Sequence, residues 1–465
     1  MHLTSNTEDR ARGDIDATQA AAAEAIRRPI GVWTEWPRGA GWTNEGMTRL
    51  LGFIIEGAAL HRQYIVHVFV ARHISAEVRA DLGCLRATAG LDYVIQTSAN
   101  DVAENFEIEH LIDAANSMAI CGWIVLYPYM RNATRLVSPV AVILPDANPI
   151  QFPNFGDDAW DAQGAHTVWR RQVAQMVGSA NRVVTFSKHV ADNDANKYFS
   201  IPRQRIDVIP HAPPNLLHLL PFVDPAQKTS ESVALAAHIV RRHCVRRGWR
   251  FLEQFPFEET RFFLVSTQDR TTKNLVRAVQ GLDLAIRGLG LDLRMFTTAP
   301  IHAGIGWTQF PAAIEAAGLQ HDVVSMHNLP RETHAALYHC ATFAVHTSLF
   351  EGGQGPFPFY EAVSVGTPCL IADGPHAREL LDGEPALRPF LFDPYDAVEL
   401  ARLMLKVARD PADALAIQRE VVNRLGDVSW QDVAAAYARS ALAPAGAFAK
   451  HDRQLGQDEE LRSWR

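Results

Sequence analysis

The sequence predicts an α/β protein of two Rossmann-like domains, each a parallel sheet with helices on both faces. Three observations carry this. Short apolar runs alternate with segments of helical length, the pattern of βαβ units. The rhythm stops at a proline cluster, Pro210, Pro213 and Pro214, and restarts at Arg261-Phe-Phe-Leu-Val. The chain has 465 residues, too many for one core and enough for two.

Residues 1–28 are polar and acidic and read as a mobile tail. Pro29-Ile-Gly-Val-Trp opens the first strand, and Tyr64-Ile-Val-His-Val-Phe-Val forms the second. Between them Gly39, Gly41 and Gly46 lie in a loop, and Met47–His61 has helical periodicity. A glycine-rich first turn of this kind is a usual place for a phosphate at a helix N-terminus. The spacing is not G-x-G-x-x-G, so a tight turn without a ligand fits equally, and no dinucleotide fingerprint marks a dehydrogenase. Further strands are expected at Tyr93-Val-Ile, Gly122-Trp-Ile-Val-Leu, Val140-Ala-Val-Ile-Leu, Arg182-Val-Val-Thr-Phe and Arg205-Ile-Asp-Val-Ile, which closes a first domain spanning residues 29–222.

Residues 223–255 read as a linker with a helix over Ser230–Trp249, in which Arg241, Arg242, Arg246, Arg247 and Arg250 cluster. Such a stretch is either a solvated helix face or a contact for acidic lipid headgroups. The second domain is placed at 256–428, with strands at Arg261, Leu293, Asp322, Phe343 and Cys369. A terminal helix follows over 429–448, with Ser429 as its N-cap, and residues 449–465 form a polar tail.

Within the second domain, His346–Asp373 carries the strongest local signal. An apolar strand leads into a loop with Glu351, Gly352, Gly353 and Gly355. A helix opening near Pro358 follows. Glu361 is then expected in its first turn, where the helix dipole favours an anion. Gly366 ends the helix, and Pro368-Cys-Leu-Ile-Ala is the next strand. Two carboxylates and several backbone N–H groups would thus meet at the carboxyl edge of a parallel sheet, where open α/β sheets bind ligands. From the residues alone, this is either a binding loop or a well-capped βαβ connection.

The stretch SLFEGGQGPFPFYEAVSVGTPCLIAD resembles the donor-site signature of retaining glycosyltransferases of the GT-B class, family 4 (group 1) in particular. Val142-Ile-Leu-Pro-Asp-Ala-Asn-Pro-Ile-Gln-Phe-Pro, Ser266-Thr-Gln-Asp-Arg-Thr-Thr-Lys-Asn-Leu and Ser429-Trp-Gln resemble other pieces of that family in the same order. The resemblance runs over about residues 30–445 and implies two domains facing each other across a cleft. It implies transfer of a sugar from a nucleotide-sugar donor to a saccharide or lipid-linked saccharide acceptor, with retention of configuration. Arg270 and Lys273 would take the donor diphosphate, and Glu361 the ribose hydroxyls. Glu351 would lie near the donor sugar, and Gly352, Gly353 and Gly355 would offer N–H groups. Gly39 and Gly41 would approach from the facing domain. The donor phosphate itself would help deprotonate the acceptor. The chain departs from the family twice. Nine residues separate Glu351 from Glu361, two more than usual, and Pro145 replaces the customary histidine before Asp146. Asp146 would then orient the acceptor, with His189, His211 and His346 as further candidates. Two alternatives follow from the departures and the fold: a catalytically silent protein of the same fold that binds a glycan or partner, and a nucleotide-sugar epimerase.

Composition narrows the rest. A net charge of −8 argues against a general nucleic-acid binder. Five scattered cysteines, without a C-x-x-C pair, suggest neither a disulfide framework nor a zinc site. The triplets Asp14-Ile-Asp16 and Asp192-Asn-Asp194 read as surface carboxylates rather than a metal-holding pair, because neither follows a strand. The expectation is therefore no metal and no cofactor beyond the nucleotide sugar. No signal-peptide core and no membrane-spanning run is visible. A cytoplasmic protein is expected, with contact at the inner face of the membrane left open and the oligomeric state undetermined.

Overall fold

The computed structural model describes residues 27–36, 42, 46–61, 63–89, 93–99, 102–152, 165–301 and 309–444. The first domain runs β1 (Arg28–Thr34), α1 (Gly46–His61), β2 (Tyr64–Val70), α2 (Ser75–Ala89), β3 (Tyr93–Gln96), α3 (Glu107–Ser117), β4 (Gly122–Val125), β5 (Val140–Ile143), α4 (Asn148–Gln151), α5 (Ala165–Ser179), β6 (Arg182–Thr185) and β7 (Ile206–Val208). These seven strands form one sheet in the order β3-β2-β1-β4-β5-β6-β7, and every pairing is parallel. β4 and β5 are buried along their whole length, which is why they read as unbroken apolar runs.

The second domain begins before its first strand. α6 (Ser230–Arg247) and α7 (Arg250–Glu253) precede β8 (Phe262–Val265). Ala236, Ala237, Val240 and Cys244 of α6 sit in the second core with Phe262 and Phe296, so one face of the basic helix is structural. The order continues with α8 (Leu275–Asp283), β9 (Arg294–Thr297), α9 (Phe310–Ala317), β10 (Val323–Ser325), α10 (Arg331–Cys340), β11 (Phe343–His346), α11 (Phe357–Ser364), β12 (Cys369–Ala372), α12 (Pro375–Gly383), β13 (Leu391–Phe392), α13 (Ala397–Arg409), α14 (Pro411–Leu425) and α15 (Trp430–Leu442). Six parallel strands are ordered β10-β9-β8-β11-β12-β13, so the direction of winding reverses between β8 and β11. In the first sheet it reverses between β1 and β4. These reversals open the crevices in which doubly wound sheets bind ligands.

α15 leaves the second domain and packs on the first. Val433, Ala434, Tyr437, Ala438 and Ala441 lie in the first core. Its start is a capping box: the Ser429 side chain accepts from Asp432 N–H, and Asp432 accepts from Ser429 N–H. Among the described residues, no helix is long and apolar enough to cross a membrane.

Candidate active site

The site is assembled from the loops that follow β5, β8 and β11. After β8 a tight turn over Thr271–Lys273 leads to Asn274, which holds a left-handed φ of 52° and caps α8. The loop after β11 is tied to this turn. Thr347 Oγ1 donates to the Lys273 carbonyl at 2.7 Å, and the Leu349 N–H donates to the Thr272 carbonyl at 2.8 Å. The two loops are thereby held side by side at the winding reversal, and Lys273 Nζ lies 2.6 Å from Glu351 Oε1.

Glu351 is the centre of this cluster. His346 Nε2 stands 3.2 Å from the same carboxylate oxygen. Burial alone would push the Glu351 carboxyl up. The Lys273 ammonium and the contact with His346 outweigh it and hold the group well below the ordinary carboxylate range. His346 and His376 are both buried, and burial pushes both imidazoles down, His376 to about 3, so they are neutral at ordinary pH. Neither ring nitrogen of His376 has a hydrogen-bond partner.

Asp146 approaches from the first domain, at the loop after β5. Burial raises its carboxyl. The Asn148 N–H, Lys273 and Arg270 pull it down, while Glu351 pushes it up. Asp146, Arg270, Lys273 and Glu351, drawn from both domains, therefore share one electrostatic site. The glycine loop touches the same place: a Cβ on Gly352 would fall 1.8 Å from the Pro145 carbonyl oxygen. The N–H groups of Gly352 and Gly353 donate to no group among the described residues. The Gly355 N–H donates to the His376 carbonyl at 3.1 Å and is already used inside the loop. Gly355 has φ +74°, and a Cβ there would meet Tyr360 Oη at 2.5 Å. Gly39 and Gly41 lie outside the described residues.

Glu361 differs from expectation. α11 starts at Phe357, with Pro356 as its N-cap, so Glu361 falls in the second turn, not the first. Its position does not rest on the end charge of the dipole, which fades within one turn. Glu361 is fully buried, and Oε1 pairs with Arg49, carried across the cleft on α1. Oε2 is buried without a hydrogen-bond partner. Arg49 also lies 5.6 Å from the Phe357 ring centroid and bears on His334. His334 Nε2 is 2.7 Å from Ser266 Oγ, just past the end of β8. Arg49 therefore pairs with Glu361 and lies within electrostatic reach of His334, which bonds Ser266 just past β8.

The sequence reading of Asp192-Asn-Asp194 is corrected in part. Asp192 is exposed and pairs with Arg203. Asp194 is fully buried inside a wide-turned helix, Val190–Tyr198, where Oδ2 accepts from the Ala147 N–H at 2.8 Å and Oδ1 from Gln151 Nε2. It clasps the backbone beside Asp146. Burial, with Asp146 nearby, pushes its carboxyl up to about 7. Of the histidines considered, His211 is half-buried, 3.3 Å from Tyr437 Oη, and desolvation pushes it down to about 3. The backbone N–H groups of Lys188 and His189 donate to Glu379 of α12 at 2.9 and 3.0 Å, a second bond between the domains.

Sequence reasoning missed Arg49, His376 and Glu379, and placed Asp194 at the surface where the structure buries it. Arg49 had a signal, as a lone cation within the apolar helix GMTRLLGFII. Among the described residues no group of three His, Cys, Asp or Glu side chains is placed to hold a metal.

The paired parallel sheets and the crossing terminal helix match the GT-B fold of glycosyltransferase structures. Residues 300–424 match the family model of the group 1 glycosyl transferases. That span contains Glu351, the glycine loop and Glu361, and leaves out Arg270, Lys273 and Asp146. HepE of Anabaena, solved with UDP-glucose, aligns with a TM-score of 0.60 at 14% identity, over 89% of this chain and 98% of that one. The sucrose-phosphate synthase of Thermosynechococcus elongatus aligns at 0.60 and 13% identity, over 92% and 99%. A UDP-forming α,α-trehalose-phosphate synthase of Burkholderia vietnamiensis aligns at 0.55 and 12% identity, over 91% and 99%. At these identities the likeness is one of fold. No curated protein sequence matches the chain.

Proposed function

We propose that the protein transfers a glycosyl group from a nucleotide sugar to a saccharide or lipid-linked saccharide, with retention of configuration and without a metal. One arrangement carries this reading: Lys273 pairs with Glu351 at the winding reversal, and Asp146 of the first domain lies within electrostatic reach of both and of Arg270. In the reaction the bond between sugar C1 and the diphosphate oxygen breaks, and its electron pair stays on the diphosphate. A guanidinium fork and an ammonium at that point stabilise the growing charge, usually the largest catalytic contribution. The unpartnered Oε2 of Glu361 is an acceptor suited to a ribose hydroxyl. Glu351, held ionised, accepts from sugar hydroxyls. The acceptor hydroxyl, oriented by Asp146, forms the new bond to C1, and its proton passes to the departing diphosphate. The likeness to a protein solved with UDP-glucose and to sugar-phosphate synthases supports the substrate class.

The test is a panel of nucleoside diphosphates screened by thermal shift, followed by turnover with the matching nucleotide sugars. A diphosphate that raises Tm in the wild type, with activity reduced about a hundredfold or more by Arg270→Ala and by Glu361→Ala, is expected. Full activity in both variants would refute the site. The contacts of Gly352 with Pro145 and of Glu361 with Arg49 favour the silent-binder reading, which predicts diphosphate binding without turnover on any sugar.

A further inference from the structure

α6 buries one face and leaves the other uncovered. Opposite the core-facing alanines stand Leu235, His238, Arg242, Val245 and Arg246. At helical spacing these fall within a stripe of about 100°. Gly248 ends the helix with a left-handed φ of 66°, and Arg250 and Phe251 extend the surface onto α7. Leu235, Val245 and Phe251 are 44, 58 and 68% exposed, unusual for side chains of this size. Residues 234–251 contain five arginines and no Asp or Glu, in a chain of net charge −8. Of the five, Arg241 pairs with Glu258 at 2.6 Å, Arg242 lies 3.7 Å from Glu332, and Arg247 covers the Trp249 ring.

The arrangement distinguishes between kinds of partner. Arginine is at home in protein interfaces as well, so the distinction rests on the unbalanced positive charge of residues 234–251 and on where the apolar side chains stand. Val245 is flanked by Arg242 and Arg246 and Phe251 by Arg250, while Leu235 neighbours Glu231 and His238. The stretch around Val245 and Phe251 has the pattern of a helix lying in a lipid interface, with apolar groups at the acyl boundary and cations at the headgroups. Guanidinium forks match phosphate oxygens in pairs.

We propose that this face of α6 and α7 docks the protein on anionic phospholipid. The proposal stands whether or not the chain transfers sugars. It is tested with the full chain and sucrose-loaded vesicles of phosphatidylcholine, with and without one third phosphatidylglycerol. Co-sedimentation with the anionic vesicles alone is expected, weakening as salt is raised. Each cation near the surface contributes about fivefold to partitioning, so Arg242→Glu with Arg246→Glu is expected to weaken binding by more than about tenfold. Val245→Asp with Phe251→Asp is expected to do the same. All four side chains are exposed, so circular dichroism and Tm should match the wild type. The proposal is overturned by absent binding to anionic vesicles at low salt, or by binding that both double variants retain. It is equally overturned by self-association in light scattering that the variants abolish, without vesicle binding.

Discussion

Asp194 shows how one buried carboxylate can set the geometry of a neighbouring one. Both of its oxygens are engaged by the segment that follows Asp146, so the loop after β5 is fastened from below. The cost is electrostatic. Its carboxyl is raised from an ordinary 3.8 to about 7 by burial, with Asp146 adding to it. A raised folded-state value means that the folded protein holds a proton the unfolded chain releases. The associated stability is full below about pH 4 and is lost as pH rises through about 7. Wild-type Tm is therefore expected to fall between pH 5 and pH 8, and Asp194→Asn should flatten that fall. An unchanged slope in melts across this range would contradict the assignment.

At the scale of elements, the loop between β11 and α11 is shaped by the opposite domain. Gly352 stands so close to the Pro145 carbonyl that any side chain must displace backbone on one side of the cleft. Gly352→Ala is expected to move the loop while leaving the β11–β12 pairing intact. Misplacement of a site by about 1 Å costs on the order of a hundredfold in rate. A loss of at least tenfold in turnover is therefore expected, with Tm lowered by only a few degrees. Wild-type kinetics in this variant would show that the cleft closes differently.

For the whole molecule, specific side chains bridge the cleft. Glu379 accepts from Lys188 and His189 N–H and from Gln354 Nε2, so one carboxylate joins α12, the glycine loop and the first domain. Arg49 and Glu361 form a second polar bridge, and Phe53 and Phe357 meet edge to face beside it. Glu379→Ala removes the first bridge without touching either core. The expected result is a larger radius of gyration by solution scattering, with the melting of each domain little changed. An unchanged radius would place the hold on α15 and the Arg49 bridge instead.

The strands were legible because a parallel strand buried on both faces must be apolar throughout, and the glycines and prolines between them punctuate locally. The Gly366 stop, with φ +82°, and the Ser429 cap were legible for the same reason: each involves groups only a few residues apart. Lys273 and Glu351 could be placed at strand ends, hence at one sheet edge. The sequence alone thus determined two parallel-sheet domains and the sheet edge that carries the candidate site. The tertiary structure decided which groups face one another across the cleft. Arg49 reaches Glu361 over 312 positions, Lys188 reaches Glu379 over 191, and Asp194 reaches Ala147 over 47. Periodicity and turn chemistry report on neighbours in the chain. Whether a carboxylate such as Asp194 ends in water or beneath a loop depends on how whole elements pack, and no local pattern encodes that.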